Sequence, residues 1–232
     1  MPNKRIITID GGNGVGKTTL VHDLHELYTA RGHNVLRLTT GNLYRAIALL
    51  AYEAADSSFE LAAATTSVTG IALARARQLE FRDGIVHLNG TEVPRDDLRS
   101  EAITKLTPLL AKHGPIRQYV ELELVRPTGH AFEGYVLSDG RTMGRDVFPD
   151  APVKLFLTVD DAEAARRHGH SLEMVQQRNR HDRERPVGAM VPATDAHVID
   201  TTLTSPVEKL MLVDQIITQV FPELAQVKSN QV

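Results

Sequence analysis

Gly11, Gly16, Lys17 and Thr18 stand near the start of the sequence in the spacing G-x-x-x-x-G-K-[ST]. Glycines at these positions let the backbone turn tightly and bring its N–H groups close to phosphate oxygens. The segment Gly12, Asn13, Gly14, Val15, Gly16, Lys17, Thr18 and Thr19 is therefore expected to cradle the phosphates of a nucleotide. Lys17 would reach the β- and γ-phosphates as a flexible point charge, and the Thr18 hydroxyl would ligate Mg²⁺. The chemistry open to such a set is nucleotide binding or phosphoryl transfer.

A loop of this kind works only between a strand and a helix, and the flanking residues predict both. Arg5 to Ile9 is a short apolar, β-branched run suited to a buried parallel strand. Leu20, Val21, Leu24, Leu27 and Tyr28 fall at i, i+1, i+4, i+7 and i+8, one face of a helix whose positive end would point at the anion. Gly32 is placed to end that helix, and residues 33–38 read as a second strand. An Ala/Leu-rich helix follows over 41–50, and residues 57–79 are again Ala-rich and predicted helical.

Composition changes at Phe81 to Pro94, where Asp83-Gly84 and Asn89-Gly90 punctuate short β-rich pieces and predict a small antiparallel meander. Helices are expected near 99–112 and 115–125, in an insertion that folds over the substrate. Residues 134–139, 153–159 and 196–200 then read as further core strands. Asp160-x-x-Glu163 and Ser205-x-x-Glu208 look like capping boxes that start helices, the second with Pro206 at its first position. The last helix gathers Val207, Leu210, Met211, Val213, Ile217 and Val220, and the tail after Glu223 reads as unanchored. Strands alternating with helices imply an α/β fold with a parallel sheet covered on both faces. Its ligand should lie beyond the carboxyl ends of the strands, where Asp10, Thr39, Thr40 and Asp139 fall.

The 232 residues suffice for one large α/β domain, and 42% hydrophobic residues allow a sizeable core. A formal net charge of −3 offers no general basic field for a nucleic-acid polymer. The absence of cysteine excludes disulfides, thiolate metal sites and cysteine nucleophiles. With no signal-like or membrane-length apolar run, the expectation is a cytoplasmic protein with no membrane partner.

Several separated stretches together resemble the bacterial cytidylate kinase family of nucleoside monophosphate kinases. They are Ile7 to Gly11 with the phosphate loop, Gly41 to Ala46, Leu88 to Val93, Asp139-Gly140-Arg141, Val147 to Lys154 and Arg178 to Arg185, in family order. The resemblance implies a P-loop NTPase fold, a parallel β-sheet flanked by helices with a small acceptor-binding insert and a helical lid. Its boundaries would be a core of about 1–60 and 130–232, an insert of about 61–129 and a lid of about 162–186. It also implies transfer of the γ-phosphoryl group of ATP, with Mg²⁺, to a pyrimidine nucleoside monophosphate; a monomer or weak oligomer is expected. Such chemistry asks for two anions held in line and neutralised rather than for covalent work by the protein.

Residue by residue, the resemblance places Arg45 and Thr40 at the acceptor, and adds Arg117 and Arg141 on the acceptor phosphate. Three guanidinium groups on one dianion would supply bidentate geometry that lysine lacks. Asp139 could hold Mg²⁺ through water, whereas Asp10 is expected to support the phosphate loop. On the lid, Arg178, Asp182 and Arg185 share a helical face, four and then three residues apart. Arg178 and Arg185 would stabilise transferred charge together with Lys17 and Arg141, and Asp182 would touch the acceptor ribose.

Four departures from the family pattern bear on the acceptor and the lid. Thr142 stands where the family has an aspartate that reads the cytosine amino edge, and a hydroxyl lacks that charged, two-oxygen acceptor. Arg145 and Asp146 introduce a charge pair; Arg145 could replace a missing contact, bind a further anion or simply pair with Asp146. His181 replaces a lid arginine, and Pro108 replaces an acceptor-binding serine, with Thr107 beside it as a substitute. ATP use is thus expected to be kept while the acceptor ranges over CMP, dCMP or a modified pyrimidine nucleotide. Two other readings remain at this level, a P-loop kinase of another phosphorylated metabolite or small alcohol, and a nucleotide-binding regulator without transfer activity.

Overall fold

The computed structural model describes residues 5–60, 72, 76, 78–82, 85–169, 171–184 and 188–228. The chain divides into two compact units, one of residues 1–37 and 129–232 and the other of residues 38–128.

The first unit is organised on a five-stranded sheet in the order β2-β6-β1-β7-β8. Strand β1 (Ile6–Gly11) is buried along its whole length, which its unbroken apolar run requires of a central strand covered on both faces. It pairs in parallel with β6 (Tyr135–Gly140) and β7 (Val153–Thr158), with Ile7 opposite Leu137 on one side and Val153 on the other. Strand β8 (His197–Asp200) runs parallel to β7, and β2 (Val35–Thr39) lies beyond β6. Helix α1 (Lys17–Ala30) buries Leu20, Val21, Leu24 and Tyr28, the face anticipated from their spacing. These meet Val213 and Ile217 of the late helix Pro206–Val220 in one apolar cluster with Ile7, Ile9 and Leu155. Each such side chain, fully buried, contributes roughly 1.5–3 kcal/mol. The sheet and this helix pair thus fix the point from which the phosphate loop leaves β1.

Of the two expected capping boxes, one is complete and one is half formed. Ser205 accepts the Glu208 N–H while the Glu208 carboxylate accepts the Ser205 N–H. Asp160 accepts from Ala162 and Glu163, but the Glu163 carboxylate turns away to Arg166 and Arg167. Two guanidinium groups are stronger donors to this carboxylate than one backbone N–H.

The tail is anchored as far as Lys228, contrary to the sequence reading. Arg31 Nη1 donates to Leu224 O at 2.9 Å, His33 Nε2 lies 3.0 Å from Gln226 O, and Lys228 N donates to Arg31 O at 2.9 Å. Phe221 and Leu224 are buried with the core cluster. The partners are the carbonyl and side chains of the turn after α1, which no local pattern near residue 223 reveals.

In the second unit, α2 (Thr40–Ala54) packs on α3 (Glu101–Leu110). Leu43, Ile47, Ile103 and Leu106 are all buried. A three-stranded antiparallel sheet, β3 (Leu79–Arg82), β4 (Ile85–Leu88) and β5 (Thr91–Glu92), forms the anticipated meander. Asn89 and Gly90 both take positive φ, 51° and 77°, as a type I′ turn demands. The Ala-rich stretch 57–79 falls mostly outside the described residues, of which 59, 60, 72 and 76 are helical. Helical turns over Gly114–Arg117, a π-helical segment over Gln118–Val125 and a helix over Arg126–Ala131 complete the order.

Candidate active site

The phosphate loop begins where β1 ends and closes on α1. Gly16 caps that helix with φ 80° and ψ 27°, a left-handed conformation that any residue but glycine enters at a cost. Among the described residues no side chain caps the helix and its first turn carries no acid, so its positive dipole end would favour an anion. Lys17 folds back over the loop, with Nζ 2.7 Å from Gly11 O and 2.5 Å from Gly12 O. A phosphate would replace these carbonyls as partner of the ammonium. Gly12 lies next to the helix Leu172–Arg183, since a Cβ there would meet Asn179 Oδ1 at 3.4 Å.

Asp139 lies near the end of β6, and a second loop leaves that strand beside the first and carries Arg141, Thr142 and Arg145. Asp10, at the end of β1, holds it. The two carboxylate oxygens of Asp10 accept the N–H groups of Met143 and Gly144, each at 2.8 Å. Met143 opens a π-helical turn, Met143–Val147. Gly144 is required there, because a Cβ would sit 2.7 Å from Thr8 Oγ1. Asp10 therefore supports this loop, whereas the sequence reading gave it to the phosphate loop. Burial pushes its carboxyl pKa up to about 6 against the two N–H bonds and the Lys17 charge, which pull it down; Asp139 adds to the rise.

Arg141 reaches from the second loop to the first, its Nη2 3.4 Å from Asn13 Oδ1, while its Nη1 lies 3.4 Å from Met190 Sδ. Thr142 is buried at 1% exposure. Of the three roles open to Arg145, the geometry displays the pairing: Nε and Nη2 grip the Asp146 carboxylate in a fork at 2.7 and 2.8 Å.

Thr40, Arg45 and Arg117 belong to the second unit. Thr40 is buried in the first turn of α2. Arg45 donates from Nη1 to Leu98 O at 2.9 Å and to Thr104 Oγ1 at 3.0 Å. Arg117 is buried and pairs with Glu121 at 2.6 Å, and the Tyr44 hydroxyl donates to the same carboxylate at 2.8 Å. Glu121 is a residue the sequence reading missed, though its i,i+4 spacing from Arg117 was a usable signal. Thr107 spends its hydroxyl proton on Ile103 O at 2.6 Å, so it does not stand in as the donor missing at Pro108. Arg178, His181 and Asp182 lie in the helix Leu172–Arg183, which Ser171 caps; their side chains, and the whole of Arg185, fall outside the described residues.

Among the described residues no cluster of three His, Cys, Asp or Glu could hold a metal ion by itself, and no helix is long and apolar enough to cross a membrane. The oxygens at hand are the exposed Thr18 hydroxyl and the buried Asp139 carboxylate. That sparse, hard donor set fits Mg²⁺, which keeps waters and shares phosphate oxygens rather than entering an all-protein cage.

A central strand, a glycine-rich loop and a bare helix N-terminus, with an arginine-bearing loop alongside, define a P-loop phosphotransferase. The family model for cytidylate kinase matches residues 7–223. The chain is 34% identical to a cytidylate kinase of Pelotomaculum thermopropionicum over 88% of its own length and 92% of the relative's. It is 33% identical to one of Geobacter sp. strain M21 over 94% of both chains, and 32% identical to one of Paraburkholderia phymatum over 93% and 90%. The chain belongs to the cytidylate kinase family.

Proposed function

We propose that the protein transfers the γ-phosphoryl group of ATP to CMP, dCMP or a modified pyrimidine nucleoside monophosphate, giving the diphosphate. The observation that carries this reading is Arg141 at Asn13, which sets an arginine outside the phosphate loop against the loop itself. A phosphate-binding regulator needs only the loop; a transferase needs a second cation at the reacting oxygens.

The roles follow from the residues' chemistry. The loop amides and the α1 N-terminus bind the donor phosphates, and Lys17 exchanges its carbonyl partners for their oxygens. Arg141 neutralises charge shared between donor and acceptor, and Arg45 and Arg117 take the acceptor phosphate. Glu121 and Tyr44 keep Arg117 in one orientation. Thr18 and Asp139 would hold Mg²⁺, which when bound offsets phosphate charge. Thr142 offers one hydroxyl where a carboxylate would prefer the cytosine amino group, so discrimination between cytosine and uracil should be modest.

Coupled ADP release measured across CMP, dCMP, UMP, dTMP and modified pyrimidine monophosphates tests the reading. Turnover with cytidine nucleotides, and a weaker but measurable rate with UMP, is expected. If no pyrimidine monophosphate raises ADP release above that with ATP alone, the reading fails.

A further inference from the structure

The phosphate loop is gripped from its carbonyl side by three elements that sequence reasoning did not connect to it. Arg167, in the helix Asp161–His168, donates from Nη1 to Gly14 O at 3.1 Å. Lys209, in the helix Pro206–Val220, donates from Nζ to Gly16 O at 3.3 Å. Between them, Thr201 Oγ1 lies 3.3 Å from Val15 O just after β8. The hydroxyl has one proton and also lies 2.9 Å from Thr158 O, so this middle contact is shared and the weakest of the set.

Three consecutive carbonyls are thereby addressed, and their peptide planes with them. In a trans peptide the C=O of one residue and the N–H of the next point in opposite directions. Holding the carbonyls of Gly14, Val15 and Gly16 therefore fixes where the N–H groups of Val15, Gly16 and Lys17 point. A donor that needs no reorganisation when the phosphate arrives loses less free energy on binding it.

The holders are themselves held. Arg167 Nε donates to Glu163 at 2.8 Å, and its Nη2 donates to Thr201 O at 2.6 Å and to Thr202 O at 3.2 Å. Glu163 also takes Arg166 in a two-bond fork. Lys209 is buried and, among the described residues, has no ion-pair partner; its ammonium is answered by a neutral carbonyl, an expensive arrangement for stability alone. Burial, and then the Arg167 charge, depress its pKa, with Asp23 opposing. The closeness is extreme at Gly16, where a Cβ would come within 2.2 Å of Lys209 Nζ.

We propose that Arg167 and Lys209, with Thr201 between them, are positioning residues for the donor nucleotide: they orient the Val15, Gly16 and Lys17 amides and place two positive charges behind the loop. The assignment rests on the reading that this loop binds ATP, and it concerns the donor alone.

The test uses the full chain with Lys209→Met, Thr201→Val and Lys209→Arg. ATP affinity is titrated directly, the Michaelis constants of both substrates are measured, and each variant is melted. Losing a hydrogen bond from a charged donor predicts that Lys209→Met weakens ATP binding about tenfold, and Thr201→Val less. The acceptor's constant should stay within about twofold, and Lys209→Arg, which keeps charge and donor, should recover most of the affinity. Unchanged ATP affinity in Lys209→Met would overturn the proposal, as would equal losses for both substrates alongside a lowered melting temperature. Should Lys209→Met fail to fold, Thr201→Val decides by the same criteria. If the unaltered protein binds ATP but phosphorylates no pyrimidine monophosphate, the acceptor reading falls while the titrations still judge the positioning.

Discussion

Replacing Asp10 by asparagine sets two effects of known sign against each other. The buried carboxylate accepts two backbone N–H groups at 2.8 Å, and its pKa moves from the ordinary 3.8 to about 6. That gap is worth about 3 kcal/mol. For an acid whose folded pKa is raised, the associated stability is fully present below 3.8 and is lost as the pH rises through about 6. The native protein thus bears the whole penalty near neutrality, while the uncharged Asp10→Asn bears none of it. Asparagine, however, has one acceptor oxygen for two N–H groups, which leaves one buried N–H unmet at a cost of about 1–3 kcal/mol. The two effects nearly cancel near neutral pH. Moving from about pH 7.5 to about pH 4.5 should then favour the native protein over the variant by about 2 kcal/mol, most of the linkage. Urea unfolding of both proteins at the two pH values reads this directly. A stability difference equal at both values, or one that favours the variant in acid, would refute the account of Asp10 as a charge forced into a dry site to hold the 143–144 backbone.

Two further outcomes follow from the arginines. Glu121→Ala removes the partner of a buried guanidinium and should cost about 3–5 kcal/mol of stability; a loss below about 1 kcal/mol in chemical denaturation would mean that Arg117 is not held as described. Arg141→Ala should raise the acceptor's Michaelis constant and lower the rate while leaving ATP affinity nearly intact, and a loss confined to ATP affinity would contradict the acceptor role proposed for it.

The parts of the fold legible in the sequence were those written in local patterns. The run Ile6 to Ile9, the stripe Leu20, Leu24 and Tyr28, the Asn89-Gly90 turn and the Ser205 cap each state their structure within a few residues. The phosphate loop is equally local, written in one run from Gly11 to Thr18. Contacts between distant segments were not legible. Arg167 is 153 residues from Gly14, and Lys209 is 193 from Gly16. A basic residue on an amphipathic helix reads as a solvated charge until the packing of α1 against the late helix turns it inward. Asp10 shows the intermediate case: its position at a strand end marked it as a supporting residue, but which backbone it supports depends on the neighbour across the sheet. Glu163 reads as half of a capping box because spacing alone cannot see that Arg166 and Arg167 compete for it.

The anchored tail has a consequence for assembly. Arg31 meets Leu224 across 193 residues of chain, a separation spanning almost the whole sheet-forming sequence. Contacts of such range are entropically unrewarding until the intervening strands have closed the distance. Sealing the far end of α1 therefore gains from strands that bring residues 31 and 224 together. The helix that offers its amino end to phosphate is finished at its carboxyl end by residues 224–228, so its two ends are secured by segments far apart in sequence.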